Sequence, residues 1–338
     1  MTDPASRGPA GAGPAATGTG RVRIGIDTGG TFTDVVAFDI ETGSVHATKT
    51  PSTPDDPSQA FLAGIDQILA ETGFGADHIH SVSHGTTVAT NALLQDEIRG
   101  LGFATTKGFE HLLEIARQSV PDGYGNSYFW IKPDRIVPVH LVRGVEGRLD
   151  ARGREIRPLD EEAVAEAARW YASEGIDAVG ICFLHSYVNA THERRAREIF
   201  SREHPGCAVS ISSDVLREYR EYERSVTTLV DAFVKRTVVD YVRSIEARLG
   251  QRRPRADGSG RLPFYVMKSN GGVVSSDGVA AKPITTILSG PAAGALGAAD
   301  LARAAGFEHV LALDGGGTST DVTVVRDGRA TLTTEGRV

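Results

Sequence analysis

Cysteine is scarce in this sequence: Cys182 and Cys207 are the only two among 338 residues. Two scattered thiols exclude a disulfide framework and a cysteine-based metal site, and they are typical of a protein of the reducing cytoplasm, where we expect this one. No apolar run reaches the roughly 18 residues of a membrane span. A sequence motif for a covalent nucleophile, of the GxSxG or Cys/His type, is also missing.

Lysine and arginine together, at 36, are fewer than aspartate and glutamate, at 43. The formal net charge is −7 and no long basic run occurs, so we expect no nucleic acid and no membrane among the partners. Hydrophobic residues make up 40% of the chain and charged residues 23%, as in globular proteins. Residues 1–20 are rich in Ala, Gly and Pro and are predicted to be a disordered tail.

An acidic, glycine-rich stretch occurs twice. DTGGTFTDVV begins at Asp27, and DGGGTSTDVT begins at Asp314, with seven of the first nine positions identical. Alternating apolar and polar residues predict that each copy lies on the first hairpin of a three-stranded meander. The repeat is therefore predicted to be a supersecondary unit.

The residue types in the repeat suit a nucleotide phosphate. Glycines let backbone N–H groups approach phosphate oxygens, hydroxyls add donors, and carboxylates can hold Mg²⁺ through its waters. A single GG hairpin is equally well explained as a tight turn. Two copies on matching meanders favour two homologous lobes that grip one nucleotide between them.

Between the two copies the pattern is α/β. Helices are predicted at Pro57–Thr72, after residue 87, at 160–173, near 190–203, at 221–249 and from Pro291, with buried strands between several of them. Residues 117–158 are rich in Gly, Pro and aromatics and are predicted to form an irregular insertion.

Six blocks together resemble the hydantoinase A / 5-oxoprolinase family, in that family's order over residues 24–323. They are DTGGTFTDVV, HGTTVATNALL, REYREYERSVTTLVDAFV, SNGGVVSS, ILSGPAAGALGA and LDGGGTSTDVT. The resemblance implies the actin, sugar-kinase and heat-shock-chaperone ATPase superfold. That fold is α/β, with two RNase H-like lobes of β-meander plus crossover helices. We expect the first lobe at 21–210 and the start of the second at 211–338.

The resemblance implies an A-type subunit that uses ATP with Mg²⁺ or Mn²⁺ to phosphorylate the carbonyl oxygen of a lactam, hydantoin or 5-oxoproline before ring opening. A B-type subunit is the implied partner. One alternative is an acetone or acetophenone carboxylase subunit of the same family. Because family chains continue for about as long again, the second lobe is expected to be incomplete. A remnant that only binds a partner is the other alternative.

The resemblance also implies site residues. Asp27 and Asp314 are expected to act in catalysis and to hold the metal. The nucleotide is expected to contact Gly29, Gly30, Thr31, Thr33, Asp34, Ser289, Gly290, Gly315, Gly316, Gly317, Thr318, Thr320 and Asp321. Gly315 departs from the family, where a bulkier apolar residue is expected.

His84 and Thr86 are further catalytic candidates, and a structural histidine is the alternative for His84. The substrate is expected to contact Thr87, Asn91, Asn270, Gly271, Glu221 and Arg224. Each has a simpler alternative: a helix N-cap for Thr87, a tight turn for Asn270 and Gly271, and a solvated first helical turn for Glu221 and Arg224. His78, His80 and His84 lack the acidic or cysteine partners of a metal site.

Overall fold

The computed structural model describes residues 21–53, 55–95, 98–117, 135–252, 262–315 and 320–331. The strands are β1 (Val22–Thr28), β2 (Phe32–Asp39), β3 (Val45–Pro51), β4 (Ile79–Thr86), β5 (Leu101–Thr106), β6 (Val142–Val145), β7 (Arg148–Leu149), β8 (Glu155–Arg157), β9 (Ala178–Cys182), β10 (Ala208–Ile211), β11 (Phe264–Met267), β12 (Val273–Ser275), β13 (Val310–Gly315), β14 (Thr320–Arg326) and β15 (Arg329–Ala330). The helices are α1 (Pro57–Thr72), α2 (Val88–Gln95), α3 (Leu112–Ile115), α4 (Glu161–Ser173), α5 (Thr191–Glu203), α6 (Ser212–Val215), α7 (Glu221–Arg252), α8 (Ser276–Ala281) and α9 (Ser289–Ala304).

The chain divides into two compact units. The first unit comprises Met1–Thr86, Arg243–Met267 and Ala293–Val338, and the second comprises Thr87–Val242 and Lys268–Ala292. Both mix helices with sheets, so the predicted α/β class is confirmed. Among the described residues, no helix has the length and apolar character needed to cross a membrane.

In the first unit, β1, β2 and β3 form an antiparallel meander, and β4 and then β11 continue the sheet in parallel beside β1. Residues alternate strictly between buried and exposed along β1, because successive side chains point to opposite faces of the sheet. Helix α1 packs on these strands with Phe61, Ile65 and Ile68 fully buried. The Asp56 side chain caps α1 at its start, and Gly73 ends it with φ 72°.

The first unit also holds the second meander, in which β13 pairs with β14 and β14 with β15, all antiparallel. The predicted third strand is short, since β15 spans only Arg329–Ala330. Residues 316–319 and 332–338 lie outside the described part of the chain, as do residues 1–20, for which a disordered tail was predicted.

The second unit is built on a parallel sheet in the order β10-β9-β5-β6. Strand β9 is buried along its whole length. One sheet face packs against α4 and α5 through residues such as Tyr171 and Phe200. The other face packs against Leu229 and Ala232 of α7. A methyl group at Gly180 would stand 2.8 Å from Leu229 Cδ2, so glycine permits this close approach.

The structure differs from prediction at 117–158. Residues 118–134 are not described, but 142–157 contain three strands, and β6 pairs in parallel with β5. Strand β6 has only four residues and contains Gly144, so it carries no periodic signal in the sequence. Helix α9 also begins at Ser289, two residues before the predicted start.

Candidate functional site

The β1–β2 hairpin presents the first copy of the repeat. Asp27 lies opposite Asp34, and Thr28 lies opposite Thr33. The turn closes where the Gly29 amide donates to the Phe32 carbonyl at 3.0 Å. Gly30 and Thr31 lie at the exposed tip. The hairpin thus places backbone amides, hydroxyls and two carboxylates at one end of the sheet.

Ser52, just after β3, holds this loop in place. Its Oγ donates to the Gly29 carbonyl at 2.7 Å and lies 3.0 Å from Thr33 Oγ1. Its backbone N–H donates to the Thr31 carbonyl at 2.9 Å. The sequence analysis missed Ser52, and no local signal marks it, since a serine after a strand is ordinarily a turn residue.

Gly85 makes room for the Asp27 carboxylate. The two residues are opposite each other in the parallel β1–β4 pair. A Cβ atom at Gly85 would stand 2.9 Å from Asp27 Oδ1, closer than such atoms pack. The HGTT block therefore borders the first loop through Gly85.

The β13–β14 hairpin repeats the register of the first. Asp314 lies opposite Asp321, and Gly315 lies opposite Thr320, as Asp27 lies opposite Asp34. Gly316, Gly317 and Thr318 lie outside the described residues. Among the residues that the structure describes, none has an atom within 4 Å of a Cβ built at Gly315, so crowding by them does not explain the glycine that departs from the family pattern.

Asp27 and Asp314 are close enough for their charges to interact. The Asp27 carboxylate reaches solvent on one side, yet burial by protein atoms raises its pKa above the ordinary range, and the charges of Asp314 and Asp34 raise it further. Asp34 itself is 3.1 Å from Lys49 Nζ. A bound cation would offset the repulsion between the Asp27 and Asp314 carboxylates.

The donor set suits a magnesium-type ion better than a closed metal cage. Within the described ranges, no group of three or more His, Cys, Asp or Glu side chains is arranged to hold a metal. Mg²⁺ takes one or two carboxylates and completes its shell with water and phosphate oxygens. Asp27 and Asp314 fit that requirement.

His84 and Thr86 are both fully buried in the first unit. The His84 ring packs edge-on against Phe61 at 5.0 Å and stacks near Phe264 at 6.3 Å, and its Nδ1 lies 3.3 Å from the Ile26 carbonyl. Burial lowers the pKa of His84 to about 4. This geometry favours the structural alternative for the histidine.

The remaining predicted residues belong to the second unit. Asn91 Nδ2 donates to Thr87 Oγ1 at 3.3 Å at the start of α2, and Ser289 is fully buried in the first turn of α9, next to Gly290. Gly271 adopts φ 82° in a turn whose Gly272 amide donates to Asn270 Oδ1. The Asn91 backbone amide donates to the Thr87 carbonyl at 2.7 Å, which fits the N-cap alternative for Thr87, and the turn geometry fits the turn alternative for Asn270 and Gly271.

Arg224 is 1% exposed and is held by the protein itself. Its guanidinium donates to the carbonyls of Phe183 at 2.7 Å and Glu218 at 3.2 Å, and its Nε approaches Cys182 Sγ at 3.3 Å. Glu221, by contrast, is exposed at the first residue of α7. The first-turn interpretation therefore fits Glu221 but fails for Arg224, which lies inside the unit.

Glu193 is a buried carboxylate that the sequence analysis did not single out. It accepts hydrogen bonds from the Phe183 amide at 2.9 Å, Ser212 Oγ at 2.6 Å and the Ser213 amide at 2.7 Å. A signal did exist, because Glu193 shares a helical face with buried Ala196 and Phe200, three and seven residues on.

Comparison with known proteins identifies the family regions and the proteins that this chain resembles. The hydantoinase/oxoprolinase N-terminal region matches residues 23–204, and the hydantoinase/oxoprolinase region matches residues 224–338. The alpha subunit of caprolactamase from Pseudomonas jessenii is 33% identical over 91% of this chain and 44% of the relative. These matches confirm the family resemblance found in the sequence.

Two solved structures share the fold. A nucleotide-free acetone carboxylase, described as catalysing ATP-dependent acetone carboxylation, aligns with TM-score 0.81 at 27% identity over 92% of this chain and 45% of that one. An ATP-dependent caprolactamase from Pseudomonas jessenii aligns with TM-score 0.75 at 33% identity over 89% and 43%.

The chain spans less than half the length of each of these relatives. The match nevertheless covers both of the family's regions, and the N-terminal region alone accounts for more than half of the residues. The chain belongs to the hydantoinase/oxoprolinase family.

Proposed function

We propose that the chain is part of the A-type subunit of an ATP-dependent cyclic-amide hydrolase. The relative named as a caprolactamase subunit and the structure of an ATP-dependent caprolactamase support an amide-hydrolysing activity with ATP. A lactam, a hydantoin or 5-oxoproline is the proposed substrate class.

The observation that carries the proposal is the pair of matched hairpins in the first unit. Each places an aspartate at the end of a strand opposite a second aspartate, and the charges of Asp27 and Asp314 interact. We assign Asp27 and Asp314 to a Mg²⁺ or Mn²⁺ ion that accompanies the ATP phosphates. The ion's chemistry is to neutralise charge on the phosphoryl oxygens.

The loop residues bind and orient the phosphates in this proposal. The first loop contributes Gly29, Gly30, Thr31, Thr33 and Asp34, and Ser52 fixes its shape through Gly29 and Thr33. The second loop contributes Gly315, Gly316, Gly317, Thr318, Thr320 and Asp321. Ser289 and Gly290 stay candidates for phosphate contacts, Thr86 stays a candidate for catalysis, and substrate contacts stay proposed for Thr87, Asn91, Asn270, Gly271 and Glu221.

The proposed reaction activates the amide before hydrolysis. The substrate carbonyl oxygen bonds to the γ-phosphorus while the bond from that phosphorus to ADP breaks. Water then adds to the activated carbon, the ring C–N bond breaks, and phosphate leaves with the former carbonyl oxygen. Positioning and charge neutralisation are what these loops can supply to such a transfer.

A B-type subunit is the proposed partner, since the caprolactamase relative is itself a subunit. A cytoplasmic location is also part of the proposal, and the two free cysteines, Cys182 and Cys207, suit a reducing compartment. The same family supports a second candidate, a ketone carboxylase subunit, because acetone carboxylase shares the fold with TM-score 0.81.

Oxygen tracing tests the reaction and separates the two candidates. The full-length protein with its partner subunit is given ATP and 5-oxoproline, caprolactam or hydantoin carrying ¹⁸O in the carbonyl. The hydrolase proposal predicts ¹⁸O in the released phosphate. ATP turnover that needs acetone or acetophenone together with bicarbonate, and no cyclic amide, would instead establish the carboxylase.

A further inference from the structure

A basic cavity in the second unit lies outside all the residues assigned above. Its volume is about 880 Å³, within the ~300–1,000 Å³ of small-molecule sites. Four cationic side chains line it: Arg197, Arg217, Lys235 and Lys282. Among the described residues of the lining, Asp214 is the single acidic one. All of these residues belong to the second unit.

Two of the four cations are already paired. Arg197 Nη1 lies 2.6 Å from Asp214 Oδ2, and Lys235 Nζ lies 3.6 Å from Asp231 Oδ2. Lys235 also donates to the Val209 carbonyl and to Ser210 Oγ. These contacts fix the two side chains at the wall, so that their remaining donors are preorganised.

The other two cations, Arg217 and Lys282, are available to pair with a ligand. Within the part of the chain that the structure describes, neither Arg217 nor Lys282 has a carboxylate within ion-pair distance. Arg217 Nε donates to the Ser213 carbonyl at 2.9 Å, which positions the guanidinium and leaves its two terminal nitrogens available. Among the lining side chains and Asp231, positive charges exceed negative ones by two, and the Glu193 carboxylate, which accepts from the Ser213 amide, is outside this count.

Ser213 adds an independent observation. The residue is 2% exposed and lines the cavity, and its Oγ has no hydrogen-bond partner among the described residues. A buried hydroxyl without a partner is unfavourable. Its backbone is fixed by the amide hydrogen bond to Glu193 Oε2 at 2.7 Å.

We propose that this cavity binds the phosphoryl group of a small molecule through Arg217, Lys282 and Ser213. A guanidinium fork, an ammonium and a hydroxyl match the several acceptor oxygens of a phosphate dianion. This group of four cations lies in one cavity on a chain of net charge −7, which favours a small ligand over a nucleic acid. This site is additional to the loops assigned to ATP.

The test follows the Ser213 amide resonance in the chain labelled with ¹⁵N-serine, assigned by its loss in Ser213→Ala. Inorganic phosphate and glycerol 3-phosphate are titrated separately at constant ionic strength. Saturable movement of the Ser213 resonance is expected with both probes. Tighter binding of the ester identifies a phosphorylated metabolite, and equal binding identifies free phosphate as the ligand.

Lys282→Gln is expected to raise Kd about tenfold, as the loss of one charge-assisted contact does. Arg194→Gln removes the same charge from an exposed position outside the cavity and is expected to leave Kd unchanged. Asp27→Asn, which tests the ATP loops, should also leave it unchanged. An unmoved Ser213 resonance, or equal weakening by Lys282→Gln and Arg194→Gln, would overturn the proposal.

Discussion

Gly85 faces Asp27 across the β1–β4 pair, and a Cβ atom at Gly85 would stand 2.9 Å from Asp27 Oδ1. Gly85→Ala should therefore displace the carboxylate. Because the crowded atom is the far end of a side chain, the fold should survive. We expect the Kd of Mg²⁺-ATP to rise about tenfold, equivalent to about 1.4 kcal/mol, measured by calorimetry.

The matched control for this substitution is Gly25→Ala on β1, the strand of Asp27, where an added Cβ would meet no atom of the described residues within 4 Å. That variant should bind Mg²⁺-ATP as the parent chain does. Equal affinity in both variants would show that the position of the Asp27 carboxylate does not matter for binding.

Ser52→Ala should loosen the first loop. It removes the hydrogen bond to the Gly29 carbonyl and the contact with Thr33 Oγ1. We expect the free energy of unfolding to fall by about 1 kcal/mol, together with weaker Mg²⁺-ATP binding. Ser44→Ala, which removes only exposed side-chain contacts in and beside the β2–β3 turn, is the control: it should cost less stability than Ser52→Ala in urea denaturation and leave Mg²⁺-ATP binding unchanged.

His84 should make stability depend on pH. Its pKa is about 4 in the folded chain and about 6.5 when unfolded, so between these values the unfolded state binds more protons. Stability should be full above pH 6.5 and fall as the pH drops toward 4, by up to about 3 kcal/mol. Urea denaturation at a series of pH values measures the slope.

His84→Gln should flatten that slope, because glutamine does not titrate. His46→Gln replaces an exposed histidine of β3 and should leave the slope as in the parent chain. A parent chain whose stability is constant from pH 7 to pH 5 would show that His84 is not a buried neutral group.

Arg224→Met should lower the free energy of unfolding. It leaves the carbonyls of Phe183 and Glu218 without their donor, and we expect a loss of about 2–4 kcal/mol in the free energy of unfolding. Arg220→Met removes a neighbouring exposed arginine and should cost little. Equal stabilities of the two variants would return Arg224 to the substrate-binding candidates.

The elements around the repeats were predictable because their periodicities are local. An alternating strand before the first repeat was predicted and is β1, and the helix at Pro57–Thr72 has the predicted bounds. Strand β6 was not, since four residues around Gly144 become a strand only by pairing with β5. Secondary structure was thus predictable where a segment has a local periodicity of apolar residues.

The residues of the candidate site also fall into two groups, those that the sequence predicts and those that it does not. Asp27 and Asp314 were found because the motif recurs, and their equivalent registers follow from the two meanders. Ser52 and Glu193 were missed, since their partners lie 19 to 23 and 10 to 20 residues away in the chain. Burial of Arg224 depends on tertiary packing that a charged helical turn does not reveal.

The most direct test of the account is calorimetric titration of residues 1–338 with Mg²⁺-ATP, beside Asp27→Asn and Asp314→Asn. Each substitution removes a charge and keeps the side-chain shape. The account predicts saturable binding by the parent chain, in the micromolar to millimolar range, and loss of binding in both variants. Undiminished binding by folded variants, or none by a folded parent chain, would contradict a shared phosphate site built from the two hairpins.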